Sequence, residues 1–406
     1  MNATMRLSCG VWLAAMLAGC TSATSKPEAV AHMIQPQRVT EHRGHDDLLT
    51  AGLGLDGLRA MAAPAFADPA HPTAAELRRR AIWGNWRGIA DLSPTGGYGQ
   101  AYGSVASVPG REYSALAKVP GAAQPHRVLV QVPDHFDTGK RCIVVTASSG
   151  SRGIYGAIAV AAPWGLPNGC AVAYTDKGAG TDYFDLDEQQ GAREDGTVGA
   201  LGTDALAFAP DAPVGASGVA VKHAHSKDNP EADWGRHVKQ AAEFALAALD
   251  QAFPQAAPFR FDNTRVIAVG ISNGGGAVLR ASEEEGGWLD AVVAGEPNIY
   301  AADAPGARSL YDYTTEAALL MPCALLDLPA ETLPQPPLRA QVEPLWTARC
   351  ATLKAAGLVT GGDAKAQAAS ARAQLKANGW TDDALVAGAL SVGFDLWRAV
   401  AATYAS

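Results

Sequence analysis

The residue types with the clearest chemical potential form the motif Gly-Ile-Ser-Asn-Gly at 270–274. An apolar run at 265–270, typical of a buried strand, leads directly into the motif, and small residues that open a helix follow it. A serine between two glycines at a strand-to-helix junction is typical of a tight, strained turn, in which Gly270 and Gly274 let neighbouring backbone pass close by. The motif therefore predicts Ser272 as the nucleophile of an acyl-transfer reaction.

Two backbone N–H groups are expected to bind the oxyanion that acyl transfer creates. One belongs to Asn273, the residue after the serine. The other is expected in the small-residue loop at 148–153, which follows an earlier apolar run, at Gly150 or Ser151. A flexible Gly/Ser loop with no special role is the alternative interpretation.

Three charged residues come directly after predicted strands and therefore belong at the same edge of the sheet. Asp176 and Lys177 are candidates for lining the substrate pocket, because ligands collect where parallel strands end. Glu296 is a candidate for the acid of a catalytic triad, although Pro297 behind it favours a simple turn.

Strands and helices alternate along the chain in the way that predicts an α/β fold. The predicted strands lie at 128–132, 142–146, 170–175, 265–270 and 289–294, and the predicted helices at 154–164, 234–253 and 277–284. Residues 181–232 are interpreted as loop-rich and acidic, and 308–406 as helices without a convincing strand. We therefore expect an α/β-hydrolase-like, mostly parallel sheet in a core at 41–300, with a helical lid or insertion region at 301–406.

The N-terminus has the pattern of an export signal. Arg6 precedes a short apolar stretch that ends in Leu-Ala-Gly-Cys at 17–20, which resembles the lipobox of bacterial lipoproteins. Residues 1–20 are therefore interpreted as a lipoprotein-type signal peptide, with a lipid anchor on Cys20, and 21–40 as a tether. An ordinary secretory signal that contains a cysteine is the alternative. Both interpretations predict an exported protein, extracellular or periplasmic. With the lipobox, the absence of Asp after Cys20 fits an outer-membrane lipoprotein.

Export makes disulfides the expected state of the four cysteines beyond the signal. Cys142 and Cys170 each begin a predicted strand, whereas Cys323 and Cys350 lie in one helical region. We therefore pair Cys142 with Cys170 and Cys323 with Cys350. The wide spacing of the cysteines argues against a zinc site.

The overall charge argues against nucleic-acid binding. The formal net charge of the 406 residues is −9, and no long block of Lys or Arg provides the basic surface that DNA or RNA binding requires. Hydrophobic residues make up 48% of the chain, which is enough for a packed core.

Four segments give the sequence a specific resemblance to a known family. They are Thr-Ala-Ser-Ser-Gly-Ser-Arg-Gly at 146–153, Tyr-Thr-Asp-Lys-Gly at 174–178, Gly-Ile-Ser-Asn-Gly-Gly-Gly at 270–276 and Gly-Glu-Pro-Asn at 295–298. From about Arg38 to the C-terminus, the sequence resembles the bacterial D-(−)-3-hydroxybutyrate oligomer hydrolases. The resemblance implies hydrolysis of dimers and short oligomers of 3-hydroxybutyrate, late in poly(3-hydroxybutyrate) degradation. It also implies Ser272 as the charge-relay serine, and neither a metal nor an organic cofactor.

The histidine of the expected triad has no evident counterpart. Triads of this fold run in the order serine, acid, histidine, yet all nine histidines, the last of them His237, precede Ser272. Because members of the resembled family continue beyond this C-terminus, the chain is expected to be C-terminally truncated. His223 and His225 are interpreted as solvated loop residues and His237 as a surface residue of a helix.

Three functions remain open at this point. The first is an esterase for 3-hydroxybutyrate oligomers, and the second is another secreted carboxylesterase, of the feruloyl esterase or tannase kind. The third is an exported lipoprotein that keeps the pocket for binding and does not catalyse. A small-molecule ester is the expected partner in the first two, and membrane contact is expected only through a lipid on Cys20.

Overall fold

The structure is a computed structural model that describes residues 32–98, 102–178, 182–222, 230–333, 339–393 and 395–405. The predicted signal peptide at 1–20, the anchor Cys20 and the two loop histidines His223 and His225 lie outside the described residues. The chain forms two compact units, the first ending at Asn298 and the second beginning at Ile299.

The first unit contains two β-sheets in its described residues. Their strands are β1 (Arg38–His42), β2 (Gly110–Ala117), β3 (His126–Pro133), β4 (Cys142–Ala147), β5 (Ala171–Thr175), β6 (Tyr183–Asp185), β7 (Gln190–Ala192), β8 (Val198–Ala200), β9 (Val219–Val221), β10 (Arg265–Ile271) and β11 (Ala291–Gly295). The large sheet has the strand order β1-β2-β3-β5-β4-β10-β11, and the small sheet has the order β8-β7-β6-β9.

The large sheet is mixed, and its parallel part leads into the serine motif. β5, β4, β10 and β11 run parallel, whereas β1, β2 and β3 pair antiparallel with their neighbours. The carboxyl ends of the parallel strands meet at one edge. The amino end of β3 lies at this edge too, because Val128 pairs with Thr175. An α/β fold is thereby confirmed. The sheet is not mostly parallel as predicted, because β1 and β2, which no sequence pattern predicted, help to make three of its six strand pairs antiparallel.

Helices cover both faces of the large sheet. They are α1 (Gly54–Arg59), α2 (Ala74–Ile89), α3 (Ile158–Gly165), α4 (Trp234–Ala252) and α5 (Asn273–Ala281). Val238 on α4 and Val278 on α5 belong to the apolar core of one face, and Trp86 on α2 and Ile158 on α3 to that of the other. Every residue of β4 and β5 is buried. The continuous apolar runs that predicted these strands reflect this two-sided cover.

The small sheet lies within the loop-rich segment 181–232, where no strand was predicted. Each of its strands has three residues, which is too short for an alternating pattern to stand out. Phe184, Leu206 and Phe208 form a small apolar cluster in this region.

The stretch interpreted as a tether is already part of the fold where the structure describes it. Met33 forms a β-bridge with Ala117, and Ile34 donates its N–H to Leu116 O at 2.9 Å. β1 then begins at Arg38, on the edge of the large sheet. Residues 33–40 therefore belong to the fold and not to a tether.

The described residues of the second unit form helices joined by loops and contain no strand. Its helices are α6 (Leu310–Ala324), α7 (Arg339–Ala355), α8 (Ala364–Ala377), α9 (Asp382–Gly393) and α10 (Leu396–Ala405). The role of this unit as a lid stays a prediction. No single helix in the described ranges is long and apolar enough to cross a membrane. α9 and α10 pass that test of length and composition only as a pair, bent by 82°.

Both predicted disulfides are confirmed. Cys142–Cys170 joins the start of β4 to the residue before β5, and Cys323–Cys350 joins α6 to α7. All four residues are buried. Two such bonds fit an oxidising compartment, although export itself stays a prediction.

Candidate active site

Ser272 occupies the turn between β10 and α5. Its backbone angles are φ 56° and ψ −126°, a conformation that residues other than glycine rarely adopt and that stores strain. The Ser272 N–H donates to Gly295 O (3.0 Å), and the Ser272 carbonyl accepts from the Gly276 N–H (3.0 Å). A strained serine at the carboxyl edge of a parallel sheet, directly before a helix, has the geometry of a nucleophile elbow. The helix begins at Asn273, four residues earlier than predicted, so the turn is tighter than expected.

Glycines on either side of Ser272 allow three backbone segments to approach one another. A Cβ on Gly270 would lie 2.2 Å from Gly274 O, and a Cβ on Gly274 would lie 2.4 Å from Ala147 O at the end of β4. Both distances are far inside van der Waals contact, so a larger residue requires the backbone to move. The predicted reason for these glycines, close passage of neighbouring backbone, is confirmed.

The residues predicted to form the oxyanion hole lie in adjacent loops. Asn273 is the first residue of α5, so its N–H has no acceptor within the helix. Gly150, in the loop after β4, has φ +59°, and a Cβ on it would lie 3.9 Å from Asn273 Oδ1. Ser151, beside it, is exposed. The structure thus brings Gly150 and Asn273 together, and their role as donors stays a prediction.

Lys177 is a buried cation that holds the loop containing Gly150. Its side chain is 1% exposed, and its Nζ donates to Gly150 O (2.8 Å) and lies 3.5 Å from Ser148 Oγ. The ammonium also lies 4.9 Å from the centroid of the Trp234 ring, a cation–π contact. Burial lowers the pKa of Lys177 from 10.5 to about 8, against the opposing effect of the Asp176 carboxylate. Lys177 therefore fixes loop backbone and leaves little surface for a ligand.

Asp176 joins the ends of β3 and β5. Its Oδ1 accepts the N–H groups of Arg127 (3.0 Å) and Gly178 (3.1 Å), and its side chain is 1% exposed. Arg127 in turn forms an ion pair with Asp182 (2.7 Å). Asp176 and Lys177 are thus buried at the sheet edge, and neither lines the cavity that lies beside the Gly150 loop.

Two buried histidines lie at the same edge, and one of them corrects a prediction. His237 on α4 is 3% exposed and therefore not a surface residue; its ring centroid lies 4.4 Å from that of His126, which begins β3. His126 shares hydrogen bonds with Thr175 Oγ1 (3.0 Å) and Gln240 Oε1 (2.7 Å), whereas His237 Nδ1 is buried without a hydrogen bond. Burial lowers the pKa of both histidines, so both rings are neutral at pH 7.

Glu296 follows β11 directly, one residue beyond the carbonyl that accepts the Ser272 N–H. Its backbone has φ 42°, and the residue is exposed. The positive φ, with Pro297 behind it, gives Glu296 the backbone of a tight turn. Its role as an acid stays a prediction.

Comparison with known sequences identifies the family. The sequence model of the family described as 3HB-oligomer hydrolase (3HBOH) matches residues 13–406. The chain belongs to the 3HB-oligomer hydrolase family. A D-(−)-3-hydroxybutyrate oligomer hydrolase of Burkholderia vietnamiensis is 42% identical over 91% of this chain and 60% of the relative. Another, of Burkholderia ambifaria, is 40% identical over 99% of this chain and 65% of the relative. The chain thus spans less than two thirds of the length of these relatives.

Two solved esterase structures resemble this 3HB-oligomer hydrolase chain distantly. Tannin acyl hydrolase from Aspergillus niger gives a TM-score of 0.29 at 12% identity, over 57% of this chain and 36% of that one. Brefeldin A esterase, a bacterial homologue of human hormone-sensitive lipase, gives a TM-score of 0.24 at 14% identity, over 86% and 90% of the two chains. The α/β assignment depends on the strand order and helix cover described above.

In this member of the 3HB-oligomer hydrolase family, the free energy of unfolding is expected to rise between about pH 8 and pH 10.5. The substitution Lys177→Met is expected to remove that rise. The folded pKa of Lys177 is about 8, below the ordinary lysine value of 10.5. The unfolded state therefore binds more protons in this window, and the wild-type free energy of unfolding increases as the pH rises through it. The increase is on the order of a few kcal/mol. Methionine fills a similar space and does not titrate.

Urea unfolding at a series of pH values across this window measures the effect. Lys140→Met is the matched control, because Lys140 is an exposed lysine of the same unit. The control should keep the wild-type rise. An equal rise in the Lys177→Met protein would show that burial of Lys177 does not affect the pH dependence of stability.

Proposed function

We propose that this chain is a serine esterase that hydrolyses D-(−)-3-hydroxybutyrate dimers and short oligomers to the free acid. The observation that carries the proposal is the strained turn of Ser272, at the carboxyl edge of the sheet between two close-packed glycines. The Ser272 Oγ attacks the ester carbonyl, an acyl–serine bond forms, and the alcohol leaves with a proton. Water then cleaves the acyl–serine ester and regenerates the hydroxyl.

Two backbone N–H groups stabilise the negative charge that develops on the substrate oxygen. The N–H of Asn273 and that of Gly150 or Ser151 bind the oxyanion of each tetrahedral intermediate. The neighbourhood of Gly150 and Asn273 supports this assignment, because a Cβ on Gly150 would lie 3.9 Å from Asn273 Oδ1. Lys177 supports it further, since its ammonium binds the Gly150 carbonyl and so restrains the peptide plane.

The substrate class is supported by the relatives. Those at 40–42% identity, which cover about nine tenths or more of this chain, are named D-(−)-3-hydroxybutyrate oligomer hydrolases. Such oligomers are short aliphatic polyesters, so a serine acyl-transfer site is chemically suited to them.

Hydrolysis of the 3-hydroxybutyrate dimer, compared with methyl ferulate, tests the proposal. We expect kcat/KM for the dimer to be about tenfold or more higher than that for methyl ferulate. The Ser272→Ala protein should release no 3-hydroxybutyrate. A preference for the aromatic ester would favour an esterase of the feruloyl esterase or tannase kind. Dimer binding without hydrolysis by the unsubstituted chain would favour the non-catalytic lipoprotein.

A further inference from the structure

A cavity of about 310 Å³ lies beside the loop at 148–153. Residues 152–155 of the loop region, residues of α2 and Arg127 on β3 form parts of its wall. Arg127 lies at the carboxyl edge of the parallel strands, next to the paired residues Val128 and Thr175. The cavity therefore reaches the same edge of the sheet as the serine turn. A larger cavity, of about 670 Å³, is lined by residues between 46 and 79, and none of them follows a parallel strand.

Most charges on the wall of the smaller cavity are already paired. Asp195 accepts hydrogen bonds from the Thr197 hydroxyl (2.6 Å) and N–H (3.0 Å). The other carboxylates and three of the arginines form ion pairs: Arg38 with Glu194 (3.0 Å), Arg78 with Glu112 (2.8 Å) and Arg127 with Asp182 (2.7 Å). These three arginines are therefore not available to neutralise a ligand.

Arg152 is the exception on this wall. Within the described residues no carboxylate lies within 4.0 Å of its guanidinium. Its Nη2 donates to two backbone carbonyls at the end of α2, Asn85 O (3.2 Å) and Gly84 O (3.4 Å). Gly88 makes room for it, because a Cβ there would lie 1.4 Å from Nη2. Burial lowers the pKa of Arg152, as expected for a cation without an anionic partner.

The base of the Arg152 side chain lies beside the predicted oxyanion hole. Its Cγ lies 3.8 Å from the position of a Cβ on Gly150, and that position lies 3.9 Å from Asn273 Oδ1. The guanidinium is therefore one side-chain length away from the place where an ester carbonyl would bind. In a hydroxyacid dimer, one short acid unit separates the ester from the free carboxylate. The distance from ester to carboxylate is therefore of the same scale as the distance from the oxyanion hole to the guanidinium.

We propose that Arg152 binds the free carboxylate of a hydroxyacid dimer or short oligomer whose ester bond lies at Ser272. This inference rests on the proposed function and adds the feature of the substrate that the site recognises. A guanidinium matches a carboxylate in shape and donates two parallel hydrogen bonds to it. The carbonyls of Gly84 and Asn85 hold one end of the guanidinium in place.

A carboxylate at Arg152 fixes which ester bond is cleaved. The bond at Ser272 is then the one nearest the free acid end, and the products are one hydroxy acid and a chain shortened by one unit. A segment inside a long polyester has no carboxylate near its ester, so it lacks this contact. The proposed subsite thus selects short, acid-terminated chains over the interior of the polymer.

Binding of the 3-hydroxybutyrate dimer to the Ser272→Ala protein tests the inference without turnover. Titration calorimetry compares the free acid with its methyl ester, which has the same two hydroxyacid units, one additional methyl group and no charge. We expect the acid to bind roughly 10- to 100-fold more tightly, the range for a hydrogen-bonded charge pair. Adding Arg152→Met should remove this difference. Adding Arg87→Met should keep it, since Arg87 also donates to backbone carbonyls and is not on the wall of this cavity.

Three results would overturn the inference. They are equal binding of acid and ester, absence of binding of both to the folded protein, or discrimination that survives Arg152→Met. Thermal unfolding checks that each variant is folded, and Arg152→Gln replaces the Met variant if that one is not. Failure of the proposed function gives a different result. The protein with Ser272 intact would then bind the acid more tightly than the methyl ester and would not hydrolyse the dimer.

Discussion

Ser272→Gly is expected to abolish ester hydrolysis and to stabilise the fold by about 1–2 kcal/mol. Serine at φ 56° and ψ −126° stores strain of roughly 1–3 kcal/mol, and glycine adopts such a conformation without steric conflict. Part of the gain is offset because glycine has more conformational entropy in the unfolded chain. Since the Ser272 side chain makes no capping hydrogen bond to α5, its removal loses no helix cap.

Ser272→Ala separates the two effects of the Ser272→Gly substitution. Alanine lacks the hydroxyl and keeps a Cβ, so it should lose activity as completely as glycine and gain none of the stability. Removal of a serine nucleophile lowers kcat by a factor of about 10³ or more. Chemical unfolding and dimer hydrolysis on the three proteins measure both quantities. Equal stability of the Gly and Ala variants would mean that the turn is not strained and that Ser272 does not have the geometry of a nucleophile elbow.

The parts of the fold that could be predicted from the sequence are those where one local pattern decides the structure. β4 and β5 coincide with continuous apolar runs, because a strand covered by helices on both faces has little need of polar positions. The same kind of run predicted β10, although only every second residue of that strand is fully buried. The Ser272 turn was predictable for a different reason. Its glycines are required because the backbone of the motif and the end of β4 pass too close for a Cβ. Glycines at fixed positions after a strand can be recognised in the sequence alone.

His237 shows where a signal existed and was outweighed. It lies three residues after Trp234 and four before Ala241, so the helical period places it on the apolar face of α4, among buried residues. The prediction of a surface residue considered only that histidine is polar and did not consider which face of the helix His237 occupies. His126 carries no comparable signal, because it stands at the first position of β3.

Lys177 shows a contact that no local pattern contains. Its ammonium binds a carbonyl 27 residues earlier in the chain, and the two meet only because β4 and β5 are adjacent parallel strands. Proximity to the serine motif was predictable from the strand ends. Which backbone group a flexible lysine side chain would reach depends on the loop conformation and on Trp234, which lies on α4.

Gly274→Ala is expected to destabilise the protein by about 2–4 kcal/mol and to remove activity with it. Gly274 lies in the first turn of α5, where alanine would ordinarily favour the helix. The new Cβ would lie 2.4 Å from Ala147 O, a backbone atom that cannot rotate away. Either β4 or the serine turn must therefore shift. Because the loop with Gly150 continues from β4, a shift of either segment changes the spacing between Ser272 and that loop.

Gly84→Ala is the matched control for this steric argument. Gly84 also lies within a helix, α2, and a Cβ there would meet no atom within 4 Å. The same substitution should therefore stabilise the protein there, by about 0.5–1 kcal/mol, through helix propensity alone. Urea unfolding of the two variants gives the comparison. If Gly274→Ala were as stable as Gly84→Ala, the close approach of β4 to the serine turn would not exist in solution, and the oxyanion loop would have to be held near Ser272 by other contacts.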